Sequence, residues 1–137
     1  MSARPPAGSV SKVDCLASFP GGGRGRVALY RHLSPLSVNA IIRILPVDSR
    51  VNVQPGMRCL FTSLKVGVEK PKTSFVRGDV ALLASGGLIC IFVKEARSDS
   101  LLNPLGKVED GLDLFERMRP GDTVRLSLSQ VSESELS

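Results

Sequence analysis

From Lys12 to Phe19 the chain alternates strictly, with Val13, Cys15, Ala17 and Phe19 on one face and Lys12, Asp14 and Ser18 on the other. A period of two belongs to a strand with one buried face. Pro20 to Gly25 supplies a turn, and the short alternating run from Arg26 to Arg31 is placed to pair back as a hairpin. The period then changes. Ser34 stands at a helix N-cap position, Pro35 at the first helical position, and Leu33 and Val38 form a hydrophobic staple. Val38, Ile41, Ile42 and Leu45 follow at helical spacing until Pro46 stops them.

Two further runs, Ser49–Gln54 and Arg58–Leu64, flank Pro55-Gly56 and predict a second hairpin. Gly67 to Ser74 reads as a loop. Asp79–Ala84 and Leu88–Val93 are apolar on both faces and joined at Ser85-Gly86-Gly87, which marks central strands of a closed sheet. Lys94 to Pro104 reads as a looser stretch. Asp110 is placed to cap a short helix whose Leu112, Phe115 and Met118 share one face, and Pro120-Gly121 ends it. A last alternating strand runs from Asp122 to Ser129. About eight short strands with only two helices predict a mainly β fold, because parallel pairing needs a helix between most strands. The architecture expected is a closed barrel whose ends the helices plug. Residues 10–129 form this domain, with a Pro/Ala/Ser/Gly-rich tail over 1–9 and a polar, acidic tail over 130–137.

The chain has 137 residues, which suits one domain with a real core. Its longest uncharged stretch, Val80 to Val93, is 14 residues and carries two glycines, whereas a membrane span needs about 20. No membrane association is expected. Met1 to Gly8 has no apolar run of the kind a secretory signal needs, so a cytoplasmic location is the expectation.

A net charge of +5 comes from 12 arginines and six lysines spread from Arg4 to Arg125. Nucleic-acid binders cluster such charge and interleave aromatics; here there is no Trp and a single Tyr. The densest basic point, Arg24 and Arg26 among glycines, is explained as well by a hairpin turn. Nucleic acid is therefore the weakest of the partner readings.

Candidate chemistry is sparse. Cys15, Cys59 and Cys90 lie far apart inside apolar segments, as buried reduced thiols do, with no Cys-x-x-Cys pair. His32 is the only histidine, so no His-based metal cluster is available, and no Gly-x-Ser-x-Gly elbow accompanies it. Gly21-Gly22-Gly23 lacks the Lys-Ser/Thr of a phosphate-binding loop. Glu109, Asp110 and Asp113 read as caps and dipole complements at a helix N-terminus. No metal and no cofactor is expected.

The segment Gly106-Lys-Val-Glu-Asp-Gly-Leu-Asp-Leu-Phe-Glu-Arg-Met118, followed by Pro120-Gly121-Asp122 and an alternating strand, resembles the cyclophilins, in which a barrel strand runs into a Gly-Lys-Val-x-x-Gly turn and a short helix. Over Val10 to Ser129 the chain is similar to the small prokaryotic cyclophilin-like proteins, minimal barrels of uncertain function. Val51-Asn52, Arg77-Gly-Asp-Val80 and Leu88–Val93 ahead of Ser98-Asp99 carry that likeness. It implies a cyclophilin-like barrel and, for the cyclophilins, a prolyl isomerase that uses an arginine on the strand before a Pro-Gly hairpin.

Measured from Pro55-Gly56, that arginine's position holds Asn52, and Arg50 lies two residues earlier on the same strand face. The family glutamine position holds Leu60, and those of the pocket tryptophan and histidine hold Arg97 and Leu102. The leading expectation is a binding module without efficient catalysis, with a groove around Arg50, Asn52, Arg58, Phe61 and Arg97 for a proline-containing peptide or a small anionic ligand. The alternative is a peptidyl-prolyl isomerase with Arg50 as its catalytic hydrogen-bond donor. Oligomeric state is left open by the sequence.

Overall fold

The computed structural model describes residues 11–129, so the tails expected at 1–9 and 130–137 lie outside the described residues. Nine strands and two helices follow in order: β1 (Lys12–Ser18), β2 (Arg24–Tyr30), α1 (Pro35–Ile44), β3 (Val47–Gln54), β4 (Met57–Phe61), β5 (Lys72–Phe75), β6 (Asp79–Leu83), β7 (Leu88–Phe92), β8 (Ala96–Asp110), α2 (Leu112–Glu116) and β9 (Thr123–Leu128). A single 3-10 turn, Pro20–Gly22, joins β1 to β2.

All pairings are antiparallel, in the order β2-β1-β9-β3-β4-β7-β6-β8. The ring closes where β2 pairs with β8, Ala28 facing Lys107 and Leu29 facing Gly106. The result is a closed eight-stranded barrel, as the strand pattern predicts, with β5 laid as a ninth strand against the first half of β8. At the closing seam the backbones come so near that a Cβ at position 106 would drive into the Ala28 carbonyl oxygen; glycine is the residue that permits this approach.

Alternation sorts side chains to the two faces of the wall. Leu29, Val51, Leu60, Val80, Leu82, Ile89, Ile91 and Leu126 fill the inside. The helices close opposite ends: α1 leaves from the Tyr30 end of β2, whereas α2 follows Asp110, which pairs with Arg26 near the other end. Val38 and Ile41 of α1 and Phe115 of α2 are buried in that core, and Phe115 meets Phe19 edge-on at 4.8 Å. A second cluster lies on the outside of the wall, where Cys59, Ala81, Cys90 and Phe92 pack against Phe75 and Leu102. This outer layer explains why β6 and β7 are apolar on both faces.

Four sequence expectations are corrected. Lys94–Pro104 is not loose: from Ala96 it belongs to the 15-residue strand β8. Its alternation is hidden because Arg97, Asp99, Ser100 and Leu101 are all exposed, and Pro104 and Leu105 then sit in a bulge, where the register with β6 shifts between Val80 and Ala81. Part of the expected loop 67–74 is strand β5. The Gly106-Lys107-Val108 segment is strand rather than turn, and the residue preceding α2 is Gly111, in the left-handed conformation, not Asp110. Glu109 and Asp113 do not serve that helix end jointly: Glu109 pairs with Lys12 of β1 at 2.9 Å and Asp113 with Arg117 at 2.8 Å.

The fourth correction concerns the start of α1. Ser34 makes no capping bond; its hydroxyl donates to the Pro104 carbonyl at 2.6 Å. The free amides of the first turn are taken instead by the carboxylate of Glu69, which accepts from Leu36 N at 2.8 Å, Ser37 N at 2.7 Å and Ser37 Oγ at 2.6 Å. Asn103, fully buried, fixes this strap by accepting from Glu69 N at 2.8 Å and donating to Ser37 Oγ and the Gly67 carbonyl.

Candidate functional site

Of the residues proposed from sequence for one groove, Arg50, Asn52 and Phe61 share the outer face of β3 and β4, whereas Arg58 points inward and Arg97 lies on β8. Arg50 is exposed on β3, opposite Thr123 of β9. Asn52 lies on the same outer face and its side-chain oxygen accepts from Gln54 Nε2 at 2.6 Å. Phe61 is 49% exposed at the end of β4. Arg58 shares a face with Val53, which packs against the inner core. Its guanidinium turns to α2, donating to the carbonyls of Phe115 (3.1 Å) and Glu116 (3.0 Å), and to that of Met57 (3.0 Å). Arg58 thus completes the carbonyls that a helix end leaves without partners. Arg97 stands apart from the other four, on β8 beside β5.

Three spaces bear on ligand binding. Inside the barrel, between Ile41, Phe115 and the wall, the void is only about 10 Å³ and is lined by apolar side chains; it has neither the room nor the polar partners to hold a molecule. On the outer wall, a groove of about 390 Å³ runs over Met57, Cys59, Leu83, Cys90 and Leu102, with Arg97, Ser98 and Asp99 along its rim. This groove holds Arg97, and none of the three spaces is lined by Arg50, Asn52, Arg58 or Phe61.

A third space, about 440 Å³, lies beside the closing seam and is lined by Tyr30, His32, Leu33, Lys72, Phe75, Asp79, Pro104, Gly106 and Lys107. The topology assembles it. Lys107 faces Ala28 of β2 on one side and Asp79 of β6 on the other, β5 brings Lys72 and Phe75 over β8, and the chain leaving β2 supplies Tyr30 and His32. The Tyr30 and His32 rings sit 5.7 Å apart. Lys72 Nζ stands 5.4 Å from the centre of the Phe75 ring, within reach of its electron-rich face, and Phe75 stacks on Phe92 at 4.6 Å.

Among the described residues neither Lys72 nor Lys107 forms an ion pair. The one carboxylate at this wall, Asp79, is engaged in closing its own turn, with Oδ2 accepting from Val76 N at 2.9 Å. Two free ammonium groups, an imidazole, a phenol and a phenyl ring therefore converge on a space of small-molecule size. Sequence reasoning weighed His32 only against a metal cluster and a Gly-x-Ser-x-Gly elbow, and missed Lys72 and Lys107. No local signal joins them, since pairing of β2 with β8 and of β5 with β8 is what places them together.

Among the described residues, no group of three or more His, Cys, Asp and Glu could hold a metal ion, and no helix is long and apolar enough to cross a membrane.

The architecture defines a class: a closed, mainly β, eight-stranded antiparallel barrel with a helix at each end. No family model matches the chain, and no curated protein matches it in sequence. Its fold is similar to the solution structure of a hypothetical protein from Archaeoglobus fulgidus, with a TM-score of 0.72 and 25% identity over 87% of this chain and 96% of that one.

Proposed function

We propose that this barrel is a binding module for a small organic anion, held in the cavity between Tyr30, His32, Lys72, Phe75 and Lys107. The observation that carries the proposal is the pair of unpaired lysines facing an aromatic-lined space of about 440 Å³. Small-molecule sites typically run from about 300 to 1,000 Å³, mostly apolar with a few placed polar groups. The ammonium groups supply charge for a carboxylate or phosphate, and the rings supply flat surface for the ligand's body.

If the barrel is of the cyclophilin-like kind that the sequence resembles, a proline-containing peptide is the ligand this resemblance would add. Isomerisation by Arg50 draws no support from geometry, since Arg50 lines none of the three spaces.

Calorimetry and amide NMR with phenyl phosphate test the proposal, with neutral benzyl alcohol as control. Phenyl phosphate is expected to bind and to shift Tyr30, His32 and Lys107, and Lys72→Ala with Lys107→Ala is expected to weaken it roughly tenfold or more, about 1.4 kcal/mol. Equal binding of the neutral compound, or shifts confined to another face, would refute it.

A further inference from the structure

Cys59 and Cys90 face each other across the ladder of β4 and β7, on the outer face of the wall. The bonds that bracket this ladder fix what kind of pair they form. Val93 N donates to Gly56 O and Thr62 N to Gly87 O, both at 2.9 Å. Hydrogen-bonded and non-hydrogen-bonded pairs alternate along an antiparallel ladder. Counting inward from either bracket, Cys59 and Cys90 fall at a non-hydrogen-bonded position. There the Cα atoms approach to about 4.5 Å, at the near edge of the range a disulfide spans. Their sulfurs are 3.4 Å apart, and both line the outer groove of about 390 Å³.

We propose that Cys59 and Cys90 are an oxidisable dithiol, a modification site at which peroxide forms a reversible cross-strand disulfide on the floor of the groove. The Cys59 thiolate attacks one oxygen of hydrogen peroxide; the O–O bond breaks, a sulfenic acid forms and hydroxide leaves. The Cys90 sulfur then attacks the Cys59 sulfur, the S–S bond forms and a second hydroxide leaves. The thiol protons convert the two hydroxides to water, so two thiols are oxidised and one peroxide is reduced to two waters.

Cys59 suits the role of attacking sulfur. The hydrogen bond between the two sulfurs, helped by the charge of Arg58, lowers its pKa against the opposing effect of burial. The same bond and burial raise that of Cys90, which keeps its proton until the second step. Cys15 is an internal control: it is buried inside the barrel and its pKa is pushed up to about 12 by burial and by Asp14.

The test is dilute hydrogen peroxide on the folded protein, read by intact mass and peptide mapping. The expected result is a loss of about 2 Da, the two thiol hydrogens, with Cys59 linked to Cys90, Cys15 still alkylated, and full reversal by dithiothreitol. In Cys90→Ser the loss should vanish and a sulfenic acid at Cys59 should be trapped by dimedone. Gain of oxygen without cross-linking in the native chain, links through Cys15, or unchanged alkylation of Cys59 and Cys90 would each overturn the proposal. The measurement on the native chain decides even if the serine variant does not fold.

Discussion

The two ends of the barrel are closed by helices of unequal size and fastened by opposite charges. At one end α1 spans ten residues, buries Val38 and Ile41, and has its free amides held by the Glu69 carboxylate. At the other, α2 spans five residues, buries Phe115, and has its last carbonyls held by Arg58. Arg77 adds a bond to the Glu116 carboxylate and another to the Val93 carbonyl at 2.8 Å. An anion suits amides and a cation suits carbonyls, so each partner matches the helix end it meets. The two fastenings differ in their surroundings. Glu69 belongs to a network anchored by the fully buried Ser37 and Asn103, whereas the pair of Arg77 and Glu116 stands in solvent. Fastening at the α1 end should therefore be insensitive to salt, and that at the α2 end partly salt-dependent.

The largest effect expected on this comparison comes from the plugs. Phe115→Ala removes an aromatic ring from the core and should cost about 3–5 kcal/mol, against about 0.5–1.5 kcal/mol for Ile41→Val at the opposite end. Urea unfolding at neutral pH measures both. Equal losses would mean that the Phe115 ring is not packed in the core as the structure places it.

Next in size is the strap. Glu69→Ala leaves the Leu36 and Ser37 amides without their partner and should cost about 1–3 kcal/mol. Hydrogen exchange should quicken at the start of α1 and leave α2 unchanged; a uniform increase would count against a local fastening.

The smallest effect belongs to the exposed pair. The hydrogen bond from Arg77 holds the Glu116 carboxyl below the usual carboxylate range. A carboxylate whose folded pKa is depressed stabilises the fold above its unfolded value, near about 4.3, and loses that contribution as pH falls through the folded one. The melting-temperature advantage of the natural chain over Glu116→Gln should thus be present at neutral pH, shrink on acidification below pH 4 or so, and shrink in high salt. An advantage that grows toward acid would reverse the assignment.

The same contrast separates what the sequence makes legible from what it does not. Both ends of α1 are written locally in Pro35 and Pro46, and the hairpins at Pro55-Gly56 and Ser85-Gly86-Gly87 stand where turn chemistry puts them. The partner that caps α1 does not. Glu69 lies more than thirty positions along the chain, and nothing near Ser34 announces it. The first half of β8 is hidden for another reason: Arg97, Asp99, Ser100 and Leu101 are all exposed, so no buried face imposes a period on them. Arg58 reads as a surface arginine because charge is ordinarily solvated; its register opposite Val53 turns it toward α2. The candidate cavity is the least legible part, since Tyr30, Lys72 and Lys107 become neighbours only through long-range pairing.

The glycine at the closing seam bears on the chain's life before it is folded. Ala28 and Lys107 lie nearly eighty positions apart, so the contact that makes the sheet a ring carries a large entropic cost of loop closure. Until it forms, β2 and β8 each present a bare edge able to recruit a strand from another molecule. A side chain at position 106 would obstruct that contact in every copy, leaving the edges open for longer at the concentrations of a living cell. The absence of a single carbon there is thus a safeguard against association between unfinished chains.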